Sequence, residues 1–189
     1  MTTLPRVIVH ADESCLGNGR EGENPGGAGG LIEYQGPGSE NVTRLDYWIS
    51  EKATTNNRMA LRSAIEALTV LSRKGKRLNV RFVSDSQYLV KGMTEWLASW
   101  KARGWRRREG AIENLVLWQE LDRLAQAHVV EWQWVRGHNK HPENEYADHI
   151  ATRAARDQSN SEGPVPSLYE EWVAGQRAKG RLSALPDRG

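Results

Sequence analysis

The chain of 189 residues is long enough for one domain with a substantial core and too short for two generous ones, so one compact domain plus a tail is expected. A formal net charge of +2 says little about partners, while the single Cys15 excludes an internal disulfide and a CxxC zinc site and suits a reducing compartment. With no charged leader before an apolar run, and no stretch near the roughly 18 to 20 apolar residues of a membrane span, the expectation is a cytoplasmic monomer without a membrane partner.

In chain order, "RVIVHADES" (6–14) alternates, is β-branched, and predicts a first strand ending near Asp12. "GGLIEYQ" and "VTRLDYWIS", separated by the turn-rich "GPGSEN", predict a second and a third strand in an antiparallel meander. Between the first two lies "GNGREG" (17–22), which matches G-x-G-x-x-G. A dinucleotide site needs a helix to follow, whereas "ENPGGAGGLIEY" leads through Pro25 into a strand, so a glycine-rich hairpin is the better reading.

From Thr55 the period changes. Leu61, Ala64, Ile65, Leu68 and Leu71 form one helical stripe that Gly75 terminates. "LNVRFVS" (78–84) predicts a fourth strand, after which Ser84, Asp85 or Ser86 caps a helix beginning "QYLVKGM". "AIENLVLWQELDRLAQA" is amphipathic and "VVEWQWV" predicts a fifth strand. Residues 143–156 predict a helix with Pro142 near its first turn. This order implies an α/β fold with a mixed sheet and helices on its faces. From about Ser159, "SNSEGPVPS" reads as a linker and 167–181 as a short helix; no function is read from this tail, whose charges cancel.

Two features carry chemistry. Residues 91–110 hold Lys91, Lys101, Arg103, Arg106, Arg107 and Arg108 against Glu95 and Glu109, interleaved with Trp96, Trp100 and Trp105, a pattern suited to nucleic acid. Three acids lie at element ends: Asp12 on the first strand, Asp85 after the fourth, and Asp148 early in the last helix. If strands one and four are neighbours, Asp12 and Asp85 converge, and such carboxylates repel one another until a hard divalent cation relieves them. A zinc site from His138, His141, His149 and Cys15 is poorly spaced.

"ADESCLGN", "TTNNRM", "SDSQYLVKGMTEWLASWKARGW", "LWQELD" and "WQWVRGHNKHPENEYAD", five ordered blocks over residues 11–148, resemble type 1 ribonuclease H of the bacterial kind. The resemblance implies a five-stranded sheet of order 3-2-1-4-5 within residues 1–158. It leaves out the extension 159–189, and the loop 19–24 and region 36–52 are longer than the family's usual form. It further implies an endonuclease that hydrolyses the RNA strand of RNA/DNA hybrids with two Mg²⁺ ions, or Mn²⁺, held by a first-strand Asp, a helix Glu, a fourth-strand Asp and a last-helix Asp. Those positions are Asp12, Ala60, Asp85 and Asp148, so the helix acid is missing.

The same resemblance implies that His138 assists proton or product movement. It implies minor-groove contacts from Cys15, Asn18, Asn56, Asn57 and Gln87, a DNA phosphate held near Thr55, further contact at Asn144, and a DNA-strand grip from Trp96, Lys101, Arg103 and Trp105. As a stand-in for the missing acid, Glu66 faces away around the helix, and Glu13, adjacent to Asp12 on a strand, is expected on the opposite face. Glu13 is also a departure, since the family commonly has Gly there. The expectation is therefore a binding-competent, cleavage-impaired variant, its alanine introduced rather than natural, with a catalytically silent hybrid-binding module as the alternative.

Overall fold

The computed structural model describes residues 6–17, 24–137 and 141–182. β1 (Arg6–Cys15), β2 (Gly26–Gln35) and β3 (Val42–Glu51) form the expected antiparallel meander. β4 (Asn79–Ser84) and β5 (Val129–Trp134) add in parallel beside β1. The predicted order is present, but the sheet has six strands: β6 (Val165–Pro166) pairs antiparallel with β3, giving β5-β4-β1-β2-β3-β6. Part of the segment read as a linker is thus a sheet edge, its Pro166 placed where an edge strand tolerates proline.

One face of the sheet is covered by α1 (Asn56–Ser72) and α4 (Leu115–Ala125). Thr55 caps α1, its Oγ1 accepting from the Arg58 amide at 3.2 Å. The α1 stripe, Leu61, Ala64, Ile65 and Leu68, is buried in one core with Val7, Val9 and Ala11 of β1 and Val80 and Phe82 of β4. Ser86 is the residue that caps α2 (Gln87–Lys91), which continues through a single π-helical turn (Gly92–Trp96) into α3 (Leu97–Ala102). The fully buried ring of Trp118 lies against Gly92, where any Cβ would collide with it.

The opposite face carries α5 (Pro142–Asp157), with proline in its first turn as expected. The helix lies close over β2 because Gly27 and Gly29 present no side chains to it. A Cβ at Gly27 would meet the Ala151 and Ala155 backbone, and one at Gly29 would lie 2.5 Å from Ile150 Cγ2. α6 (Tyr169–Ala178), shorter than the 167–181 expected, packs beside α5 in a second core of Leu31, Tyr146, Ile150, Tyr169, Val173 and Leu182. Among the described residues no helix is long and apolar enough to cross a membrane.

Strand alternation sets which helix each β1 side chain faces. Val7, Val9 and Ala11 look toward α1, so residue 13 shares that side, while Asp12 looks toward α5.

Candidate metal centre

The last β1–β4 pair is Ala11 with Ser84, so Asp12 and Asp85 are one residue beyond it on adjacent parallel strands. Their convergence is as expected, but the third member of the group is not. Asp12, Glu13 and Asp85 each offer a carboxylate oxygen, and the three lie within 4.8 Å of one another. The expectation that Glu13 faces away is therefore corrected. Residue 13 does start toward the α1 side, where β2 still pairs with it, but β4 has ended at Ser84, so the edge of β1 on the Asp85 side is open. The side chain, one methylene longer than aspartate, can lean over that edge to meet the other two. It reaches the group from the side on which Ala60 lies, 1% exposed on α1.

Asp148 is half-buried on α5 and stands outside that tight group. It is near enough, with Glu145, to act on Asp12 electrostatically, and its carboxylate accepts from Thr152 Oγ1 at 3.5 Å. Burial, then repulsion from Asp85, pushes the Asp12 carboxyl up to about 8, against the opposing effect of the Glu13 amide, which donates to Asp12 Oδ1 at 2.7 Å. Burial and the charges of Asp12 and Asp85 likewise hold Glu13 well above the usual carboxylate range. Carboxylates crowded in this way are a poor arrangement for a bare protein and a good one for a hard divalent cation, and an all-oxygen donor set fits Mg²⁺ or Mn²⁺.

The surrounding backbone fixes Asp85. Trp134 Nε1 donates to the Asp85 carbonyl oxygen at 2.9 Å, and the Val135 amide donates to Ser84 O at 3.0 Å. Gly137, at the end of the β5 strand exit, passes so close that a Cβ there would lie 2.5 Å from Asp85 Oδ2. Gly137→Ala is expected to displace that carboxylate and weaken Mn²⁺ binding about tenfold with little loss of stability, as for support lost around a metal ligand. Parent-like Mn²⁺ affinity in a calorimetric titration would show that Asp85 tolerates the shift.

Residues 5–156 match the RNase H family. The chain belongs to the ribonuclease H family. It is 44% identical to the ribonuclease H of Pseudomonas paraeruginosa over 155 residues, covering 81% of this chain and 95% of that one. It is 47% identical to that of Methylococcus capsulatus over 152 residues, covering 80% and 90%. Among solved structures, LC9-RNase H1, described as a type 1 RNase H with the type 2 active-site motif, is 56% identical with a TM-score of 0.88 and covers 100% of this chain and 90% of its own. LC11-RNase H1 in complex with RNA/DNA hybrid shares the fold at 17% identity and a TM-score of 0.57, over 80% of this chain and 98% of its own.

Around this ribonuclease H centre the other expected residues fall into groups. Thr55 and Asn57 are exposed at the start of α1, Asn56 is half-buried beside them with Oδ1 unpartnered, and Gln87 is exposed at the start of α2. Cys15 directs its thiol to the carbonyls of Thr54, at 3.4 Å, and Asn24, at 3.8 Å, so it ties the end of β1 to the loop before α1. Trp96 is half-buried, in ring contact with Tyr88 and Trp100, each at 5.9 Å. These rings, with Arg107, Ile112 and Glu113, line a cleft of about 340 Å³. Arg103 is exposed and Trp105 half-buried, but Lys101 pairs with Asp122 at 2.8 Å and is not free to grip a phosphate without breaking that pair. Asn144 is buried, at 4% exposure, with its Oδ1 unpartnered. His138 and Asn18 lie outside the described residues.

Proposed function

We propose that this chain is a divalent-metal-dependent endoribonuclease that hydrolyses the RNA strand of RNA/DNA hybrids, with Glu13 supplying the carboxylate that position 60 lacks. The observation that carries this reading is the mutual approach of Asp12, Glu13 and Asp85 within 4.8 Å. The expectation of an impaired enzyme rested on there being no stand-in acid, and the placement of Glu13 removes that premise. The active-site departure described for LC9-RNase H1 supports the same reading, since that relative also combines a type 1 fold with another type's motif.

Asp12, Glu13, Asp85 and Asp148 would hold the cations. When bound, two divalent ions activate a water and stabilise the charge that builds on the scissile phosphate. The protein's own part is to keep the four acids deprotonated and aimed, and to seat the duplex. Asn56, Asn57 and Gln87 offer neutral donors and acceptors of the kind that read a 2′-OH, and the basic stretch after Trp96 offers sequence-independent phosphate contacts. One copy carries all four acids, so a monomer suffices.

The presence of Ala60 favours a second reading, a hybrid-binding module without cleavage. End-labelled RNA, presented in hybrid, in duplex RNA and single-stranded, distinguishes the two in Mg²⁺. Cleavage confined to the hybrid is expected. Tight hybrid binding without cleavage would establish the module instead, and equal affinity for hybrid, duplex DNA and duplex RNA at fixed salt would overturn both.

A further inference from the structure

We infer that the C-terminal segment 159–182 is a positioning element for the metal centre: it holds the first half of α5, and with it Asp148, in register with Asp12, Glu13 and Asp85. This rests on the proposed role of those four acids.

Asp148 is the acid held least firmly. Asp12 and Glu13 are fixed by the β1 ladder and Asp85 by the end of β4, whereas Asp148 depends on where α5 sits. The second half of α5 is seated by its close packing over Gly27 and Gly29, with Ile150, Ala151 and Ala155 as the contacting residues. The first half is anchored differently. Tyr146, two residues before Asp148, donates its hydroxyl to Asp46 Oδ2 at 2.6 Å, and the same oxygen accepts the Leu168 amide at 3.1 Å. One buried carboxylate on β3 thus ties the active-site helix to the entry of α6. The Tyr146 ring meets Tyr169 at 5.4 Å and Trp172 at 5.2 Å, and the His149 ring meets Trp172 at 5.8 Å. Glu143, in the first turn of α5, acts on the Tyr169 hydroxyl, which burial and then that neighbouring carboxylate push up. Residues 143, 146 and 149 recur every three positions, so α6 grips one face of the two turns that carry Asp148.

The gripping element is itself fixed to the sheet along its whole approach. Residues 44, 46, 48 and 50 of β3 alternate outward, and each finds a partner in the segment. Ser50 N donates to Asn160 Oδ1 at 2.7 Å, and Trp48 exchanges bonds with Ser161 at 2.9 and 3.1 Å. Asp46 pairs with Val165, and Arg44 O accepts the Ser167 amide at 3.2 Å. Arg44 also pairs with Glu170 at 2.6 Å. The attachment transmits the position of β3 to α5 through side chains that are packed and hydrogen-bonded, the condition under which a supporting shell places a ligand.

The test compares the parent with Trp172→Ala, which empties the ring contact, and Tyr146→Phe, which keeps the ring and removes the hydroxyl that bonds to Asp46. A chain ending at residue 158 removes everything, and if it fails to fold the two point variants carry the test. Mn²⁺ affinity is measured by calorimetry without nucleic acid, alongside the Mg²⁺ concentration for half-maximal cleavage and KM for hybrid. Both metal requirements are expected to rise about tenfold, the lower range for lost outer support, with KM for hybrid unchanged. In an Asp148→Asn background the same changes are expected to leave Mn²⁺ affinity where it was, because the coupled ligand is gone. Metal affinity within about twofold of the parent, with only the unfolding temperature lowered, would make the segment a stability device and overturn the inference. A chain that never cleaves but whose Mn²⁺ affinity responds would retain this inference and refute the proposed activity; normal cleavage with an unresponsive site would do the reverse.

Discussion

Glu13→Gln is expected to reduce turnover on hybrid by on the order of 10³-fold while leaving KM for hybrid nearly unchanged, because it deletes a charge used at the scissile phosphate and spares the surface that seats the duplex. The replacement has the same size and loses only the negative charge from a group whose three carboxylates lie within 4.8 Å. In the metal-free protein that loss relieves repulsion on Asp12, so the variant should fold at least as well as the parent and its inactivity cannot be ascribed to unfolding. The complementary change is Ala60→Glu. At 1% exposure within the α1 core, a glutamate there would be forced toward acids that are already crowded, and on its own it is expected to destabilise the fold and lower cleavage. Combined with Glu13→Gly, it moves the acid from strand to helix and is expected to restore part of the activity that Glu13→Gly loses. Single-turnover cleavage of a labelled hybrid reads all four variants. Retention of activity within about tenfold by Glu13→Gln, or a sharp rise with Ala60→Glu alone, would mean that Glu13 is not a ligand and that the chain is an impaired enzyme.

The sheet was legible because its strands announce themselves by alternation and its helices by stripes that end at caps. Thr55, Gly75 and Pro142 all stand where those patterns place them. Asp12 and Asp85 could be paired from sequence because both were read at strand ends; β1 in fact runs on to Cys15, and what stops beside both acids is the pairing of β1 with β4. Glu13 was lost to a sound rule applied one step short. Alternation does send residue 13 to the side opposite Asp12, but that is the side of α1, where the missing helix acid belongs, and beyond the end of β4 a long side chain can lean over the open edge of β1. The parity of Val7, Val9 and Ala11 was the available signal. The burial of Asn144 was not legible, because its place in a polar loop-to-helix stretch gives no sign that α5 turns it inward. The sixth strand was hidden because two residues, one of them proline, carry no periodicity, and their pairing is set by the long-range attachment of Asn160, Ser161 and Ser167 to β3.

Without divalent cation, the protein is expected to lose stability as pH rises through the neutral range, and Mg²⁺ is expected to restore it increasingly at higher pH. Asp12 has its folded pKa raised to about 8, so the folded chain holds that proton more tightly than the unfolded chain does. Its contribution is fully present below the ordinary carboxylate value of 3.8 and is lost as pH climbs through about 8. Taken alone, a shift of that size corresponds to about 6 kcal/mol, an upper limit because Asp12, Glu13 and Asp85 titrate as a coupled group. Glu33 and Glu51 act in the opposite sense: their arginine and histidine partners hold them below the usual range, so their contribution is present above it and is lost as pH falls through their folded values. The two effects together place maximum metal-free stability on the acid side of neutrality. A cation binds the deprotonated acids and so must release their protons, which makes its affinity rise with pH until Asp12 is ionised. The increase in unfolding temperature caused by Mg²⁺ should therefore be small near about pH 5.5 and largest near about pH 8.5, where saturating ion adds about 3 kcal/mol at a hundred times its dissociation constant. Asp12→Asn should flatten the metal-free decline and abolish most of the Mg²⁺ effect. Equal Mg²⁺ shifts at both pH values in thermal melts would show that the ion does not bind at these carboxylates.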